Sequence, residues 1–153
     1  MNIPFQGKEL ELKFDLDALK VIDKRVGIDT EEIQLGQGLG MLVPGLESGN
    51  ILTVAAAVEG GLSHLKNKFG SAYIPNSNAA MFEVLDEIAE RDGDLDVFAQ
   101  GVIDELGKRA VTRSMLPDEL KAKYKQEAEE AKKAATPQPV QEAPQEQQTQ
   151  PMS

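Results

Sequence analysis

A chain of 153 residues has room for one domain with a real core, and not comfortably for two. Its 26 acidic residues against 16 basic ones give a net charge of −10, which repels phosphate backbones and anionic membrane surfaces. Without cysteine, disulfides and thiolate metal sites are excluded, and no run of about 18 apolar residues suggests a membrane span. The N-terminal stretch lacks the basic segment and long apolar run of a secretion signal, so the cytoplasm is the expected compartment. Aromatics are only 5% of the chain and Trp is absent, so the core must be aliphatic, which suits packed helices.

Residues 2–14 alternate, with Leu10, Leu12 and Phe14 on one side and Glu9, Glu11 and Lys13 on the other. That is the period of a half-buried strand. Gln6-Gly7 separates it from Ile3 and Phe5, which predicts a short hairpin. Asp15 then caps a helix carrying Leu16, Leu19, Ile22 and Val26, with Gly27 as its stop. A second helix opens at Thr30, carries Leu35, Leu39, Leu42 and Val43, and ends at Pro44-Gly45.

Asn50 to Leu65 is the strongest helix signal and the predicted centre of the core. Ile51, Val54, Ala55, Val58, Leu62 and Leu65 fall on one stripe. Ala56, Ala57, Gly60 and Gly61 lie opposite, where small residues allow a second helix to approach closely. A loop follows over 67–78. Ser77 or Asn78 caps a fourth helix with the stripe Met81, Val84, Leu85 and Ile88, ending at Asp92-Gly93. Asp94 opens a fifth, with Leu95, Phe98, Ala99, Val102, Leu106 and Ala110 inward. Pro117 sits in the first turn of a sixth, which runs towards Ala135 and buries little through Leu120, Tyr124, Ala128 and Ala131. From Thr136, four Pro and six Gln in 18 residues leave nothing to build a core, and disorder is expected. The fold class is therefore mostly α, a small domain of about five to six helices with an N-terminal β-hairpin. The predicted organisation is a helical body over 1–113, an exposed helix over 114–135 and a disordered tail over 136–153.

The chemistry-bearing motifs have plain structural explanations. Gly36-Gln37-Gly38-Leu39-Gly40 lacks the preceding strand and the third glycine of a dinucleotide fingerprint, with Met41 at that position. Asp92-Gly93-Asp94 opens like a calcium loop, but Val97 and Ile103 occupy the positions that need Gly and Glu. His64, the single histidine, has neither nucleophile nor orienting carboxylate on its helical face. Nine acids against one Arg between Glu83 and Glu105 read first as a solvated face. No catalytic, cofactor or metal site is read, which leaves a binding or assembly role.

The hairpin and first helix, GKELELKFDLDALKVIDK, are followed by GIDTEEIQLGQGLGMLVPGLESGNILTVAAAVEGGLSHL and later by AMFEVLDEIAERDGDLDVFAQGVIDEL. This order of elements resembles the tail assembly chaperones of long-tailed bacteriophages, over about residues 5–112. The resemblance implies a small helical protein, absent from the finished virion and working in the host cytoplasm. It would bind the tape measure protein, keep that long chain soluble and help tail tube subunits polymerise around it. The family's translational frameshift near the gene's end implies a longer product that contacts the tail tube protein. Self-association is left open.

A chaperone for a long helical chain needs an apolar, adaptable surface. Leu39, Met41, Leu42 and Leu46 around Pro44 are the candidates, because Met adapts to variable partners. The competing role is a structural tail adaptor or connector retained in the virion.

Overall fold

Gln6 and Gly7 both take positive φ, 51° and 75°, a two-residue turn that matches the twist of the strands it joins. The structure is a computed structural model that describes residues 1–25 and 37–135, with the backbone alone for 37–39 and 135. Strands β1 (Asn2–Phe5) and β2 (Lys8–Glu11) pair antiparallel, with Ile3 opposite Leu10 and Phe5 opposite Lys8. Ile3, Phe5 and Leu10 face the core, as do Leu12 and Phe14 beyond the strand. The Lys13 amide donates to the Gly61 carbonyl at 2.9 Å, which ties the hairpin to the helices.

Asp15 caps α1 (Leu16–Arg25) by accepting from the Ala18 amide at 2.9 Å. Its inward face is Ala18, Leu19 and Ile22, whereas Leu16 points out. Val26, Gly27 and the second helix's expected start at Thr30 lie outside the described residues. Helix α2 (Gln37–Glu47) runs through Pro44, where the sequence predicted a stop. Proline inside a helix costs about 3 kcal/mol relative to Ala. Gly40 and Pro44 are both exposed, so the Gly40 carbonyl that loses its donor faces water. Past the proline, the Ser48 amide reaches Pro44 O at 3.0 Å, and continuing the helix places Leu46 in the core.

Asn50 caps α3 (Ile51–Gly61), its side chain accepting from the amides of Leu52 and Thr53 at 2.9 and 3.2 Å. The predicted single helix over 50–65 is two, with α4 (Ser63–Phe69) following a break at Leu62. The break has a cause in the hairpin. Lys13 occupies the Gly61 carbonyl, and the Leu65 amide turns to Leu62 O at 3.0 Å. Val54 to Val58 are buried on both sides of α3, while Ile51 is exposed. The small residues do what their size suggests: Gly60 lies against Ile22 and the Ala18 carbonyl, and Gly61 against Leu12.

After a short 3-10 turn, Ser77 caps α5 (Asn78–Asp92), which buries Met81, Val84, Leu85 and Ile88 and ends at Gly93. Asp94 caps α6 (Leu95–Lys108), which buries Phe98, Ala99, Val102, Ile103 and Leu106. The helix stops before Ala110, which is exposed and not part of the stripe. Thr112 and Arg113 end it: the Thr112 hydroxyl donates to Leu106 O and the Arg113 guanidinium to Gly107 O at 3.1 Å. Both sit on α7 (Ala110–Arg113), a single turn folded back on α6.

Helix α8 (Asp118–Ala135) follows, and Pro117 is the residue before it, accepting from the Lys121 amide at 2.9 Å. The sequence reading expected α8 to bury little. Tyr124 is buried all the same, its ring laid on Gly107 and its hydroxyl donating to Asp104 Oδ1 at 2.5 Å. Burial, then the bond to Asp104, holds this phenol protonated well above the usual tyrosine range. The hairpin and the mainly helical architecture stand as the sequence predicts, with eight helices among the described residues. The extra ones over the expected five to six come from short segments at the breaks near Leu62 and Arg109.

Candidate partner-binding surface

The sequence placed an apolar surface on α2. Met41 is there and is 55% exposed, but Leu42 and Leu46 are 0% and 2% exposed. Helix α2 packs on both α1 and α6, and its inward face consists of Leu42, Val43 and Leu46. These leucines fix the helix and are closed to a partner in this arrangement, so the four candidates do not form one open groove. The Leu39 side chain lies outside the described residues.

An open apolar groove exists elsewhere. Phe14, just before α1, and Leu16 and Leu19 on it face Ala110 and Val111 of α7 across a groove of about 470 Å³. Leu16 is 58% exposed and Val111 66%. Asp15 and Arg109 line the same groove, one charge of each sign. Local structure explains why both apolar side chains are out. Leu16 follows the cap of α1, before the inward stripe begins at Ala18. Val111 rides on the turn that Thr112 folds back to close α6. Sequence reasoning missed this groove because it continued the α6 stripe through Ala110. The available signal was Val111, a large apolar residue off that stripe.

Gly49 lies against Asp96, which brings the starts of α3 and α6 near each other. Exposed Ile51 and Leu52 start α3 at that end, and exposed Val97 belongs to the first turn of α6. On another face Phe69 packs against Tyr73, ring centroids 4.5 Å apart, with Lys8 Nζ 4.0 Å above the Tyr73 ring.

The remaining motifs have structural roles. His64 Nε2 lies 2.8 Å from Glu11 O, a carbonyl that only accepts, so this nitrogen carries the proton and the ring pins the hairpin. Gly38 and Gly40 lie within α2, not in a phosphate-cradling loop, and Gly36 is outside the described residues. Asp92-Gly93-Asp94 is a helix stop followed by a helix cap. In the acidic run, Asp92 pairs with Arg91 at 2.9 Å, Glu105 with Lys108 at 2.8 Å, and Asp104 holds Tyr124. Glu83, Asp86, Glu87, Glu90, Asp94 and Asp96 are exposed, as a solvated face requires. Among the described residues no cluster of His, Asp and Glu could hold a metal, and no helix is long and apolar enough to cross a membrane.

No curated protein and no solved structure matches the chain. A family model does, that of the phage tail assembly chaperone proteins, over residues 2–121. The match runs from the hairpin through the groove-forming α1 and α7 and into the first turn of α8. It agrees with the resemblance seen in the sequence, and the family's role is in assembly, which points away from catalysis. The chain therefore belongs to the phage tail assembly chaperone family.

Proposed function

We propose that this chain binds the tape measure protein in the host cytoplasm, keeps it soluble while tail tube subunits polymerise around it, and is left out of the virion. The observation that carries the reading is the groove between α1 and α7, where Leu16 and Val111 are open to solvent. A long helical chain waiting for assembly exposes apolar stripes that aggregate. Helix-in-groove recognition covers such a stripe by seating its anchor side chains in a hydrophobic surface. A groove of this size takes the anchors of one helix turn, and a helix is too wide to enter whole, at about 10–12 Å across. Met41 on α2 is a second contact in this reading, with Leu39 two residues before it in sequence. Leu42 and Leu46 act from inside by holding α2 in place. The net charge of −10 favours the solubility of the chain that carries this cargo.

The division into a body over 1–113, an exposed helix over 114–135 and a tail over 136–153 belongs to the same proposal. A longer, tail-tube-binding product would diverge from this chain near Lys132-Lys133, close to the end of α8. Co-expression tests the function. The tape measure protein should be insoluble alone, and soluble and co-purifying with this chain. Equal solubility in both cases, with this chain found in purified particles, would favour a structural tail adaptor instead.

A further inference from the structure

Each wall of the α1–α7 groove carries one ionic residue beside its exposed aliphatic side chain. Asp15 comes just before Leu16, and Arg109 just before Ala110 and Val111. Asp15 is occupied by the fold. Its Oδ1 accepts the Ala18 amide at 2.9 Å, and its charge sits favourably at the start of α1. Arg109 has no such role. It is exposed, and it precedes α7 without capping it through its side chain. Its backbone is extended, φ −97° and ψ 135°, a conformation any residue adopts. The other arginines all have partners: Arg25 reaches Glu59, Arg91 reaches Asp92, and Arg113 donates to Gly107 O. Among the described residues, Arg109 is the one arginine whose guanidinium meets no acceptor.

A partner that covers Leu16 and Val111 also takes water away from this guanidinium. Left unmatched, a desolvated cation weakens binding. A carboxylate matches it best, because the planar guanidinium fork can donate two parallel hydrogen bonds to one carboxylate. On the reading that the groove holds an apolar stripe of the tape measure protein, we propose that this stripe carries an acidic residue beside its apolar anchors and that Arg109 selects it. The apolar contact supplies most of the affinity. The ion pair decides which stretch is seated and in what register. A basic residue beside the anchors would face Arg109 and be disfavoured. The chain's net charge of −10 disfavours a carboxylate placed at random on its surface, so the pair with Arg109 separates one register from another. One pair at the groove's edge adds only a small dependence on salt.

The test is the affinity of the purified tape measure protein for the full chain as wild type, Arg109→Gln, Arg109→Glu, Arg109→Lys and Lys125→Gln. Lys125 is exposed on α8 and does not line the groove, so its loss reports net charge alone. Arg109→Gln should weaken binding about three- to tenfold, and Arg109→Glu further, because it sets two carboxylates against each other. Arg109→Lys should fall between the wild type and Arg109→Gln, since it keeps the charge but not the fork. Lys125→Gln should bind like the wild type. The Arg109 variants should keep the wild-type thermal midpoint, because the guanidinium bonds to nothing inside the described fold. In the Arg109→Lys chain, carbodiimide couples the new amine to a carboxylate in contact with it. Peptide mass spectrometry should find that carboxylate on an Asp or Glu of the tape measure protein, beside apolar residues at helical spacing. Wild-type affinity in both Arg109→Gln and Arg109→Glu would overturn the inference. So would equal weakening by Lys125→Gln, which reduces the effect to net charge, or tighter binding by Arg109→Glu, which puts a basic segment there. Leu16→Ser/Val111→Ser, measured alongside, separates the two levels. If it weakens binding and the Arg109 variants do not, the groove holds the tape measure protein but does not select an acid. If it binds like the wild type, the groove is not the site, whatever the Arg109 variants do.

Discussion

Gly60→Ala and Gly40→Ala make the same chemical change in two helices and should move stability in opposite directions. Alanine is favoured over glycine inside a helix by about 0.8–1 kcal/mol. At Gly40 nothing among the described residues lies within 4 Å of an added Cβ and the residue is exposed, so that gain should appear almost whole. At Gly60 the added Cβ would sit 3.0 Å from the Ala18 carbonyl oxygen and 2.8 Å from Ile22 Cγ1. Ile22 is buried and the carbonyl belongs to the α1 backbone, so neither yields without moving a helix. Overpacking of this kind typically costs about 1–3 kcal/mol, which exceeds the propensity gain across most of its range. We expect Gly40→Ala to stabilise by about 0.5–1 kcal/mol and Gly60→Ala to destabilise by about 1–2 kcal/mol. Urea unfolding, at unchanged dependence on urea, reads both. A stabilised Gly60→Ala protein would mean that α1 and α3 are not in close contact, and the account of the core would fail.

The other expectations concern single groups. Val58→Asp should leave the protein unfolded by circular dichroism, since Val58 is fully buried and an unpaired carboxylate there costs several kcal/mol; a folded variant would mean that the α3 stripe faces outward. Tyr124→Phe should cost about 0.5–1.5 kcal/mol at neutral pH, the usual net worth of one hydrogen bond. Because the native state holds the Tyr124 proton more tightly than the unfolded chain, its stabilisation is complete below about pH 10 and declines as pH rises further. Tyr124→Phe should remove that alkaline decline in denaturation scans, and an unchanged decline would separate it from Tyr124. Removal of 136–153 should change unfolding free energy by less than about 0.5 kcal/mol, the range of neutral surface changes, and a larger loss would show that the tail docks.

The elements were legible in the sequence wherever local chemistry acts alone. Asn50, Ser77 and Asp94 cap the helices they were expected to cap, and the hairpin turns at Gln6-Gly7. What escaped depended on distant partners. Helix α3 breaks because Lys13, far back in the chain, occupies the Gly61 carbonyl. Pro44 does not stop α2 because the carbonyl it orphans faces water. Tyr124 is buried because Gly107 on another helix leaves room for its ring. The candidate surface was legible only in part. Met41 is accessible, but Leu42 and Leu46 share its helix and face inward, which period alone does not decide without knowing the neighbouring helices. Leu16 was hidden by the same ignorance, since a residue left outside at a helix start looks like one inside the stripe that follows, and Val111 fell off the α6 stripe with nothing local to show that a turn exposes it.

The central claim is that the groove between α1 and α7 holds an apolar stripe of the tape measure protein. The direct measurement is the affinity of the purified tape measure protein for the wild-type chain and for Leu16→Ser/Val111→Ser, each at low and high salt. Both positions are more than half exposed, so the variant should keep its unfolding midpoint. Losing the burial of two aliphatic side chains should weaken binding by about 2–4 kcal/mol, roughly thirtyfold to a thousandfold. Added salt should change the wild-type affinity only modestly, because apolar contact is not screened. Unchanged affinity in the double variant, or a steep loss with salt that points to the Glu83–Glu105 face, would contradict the account.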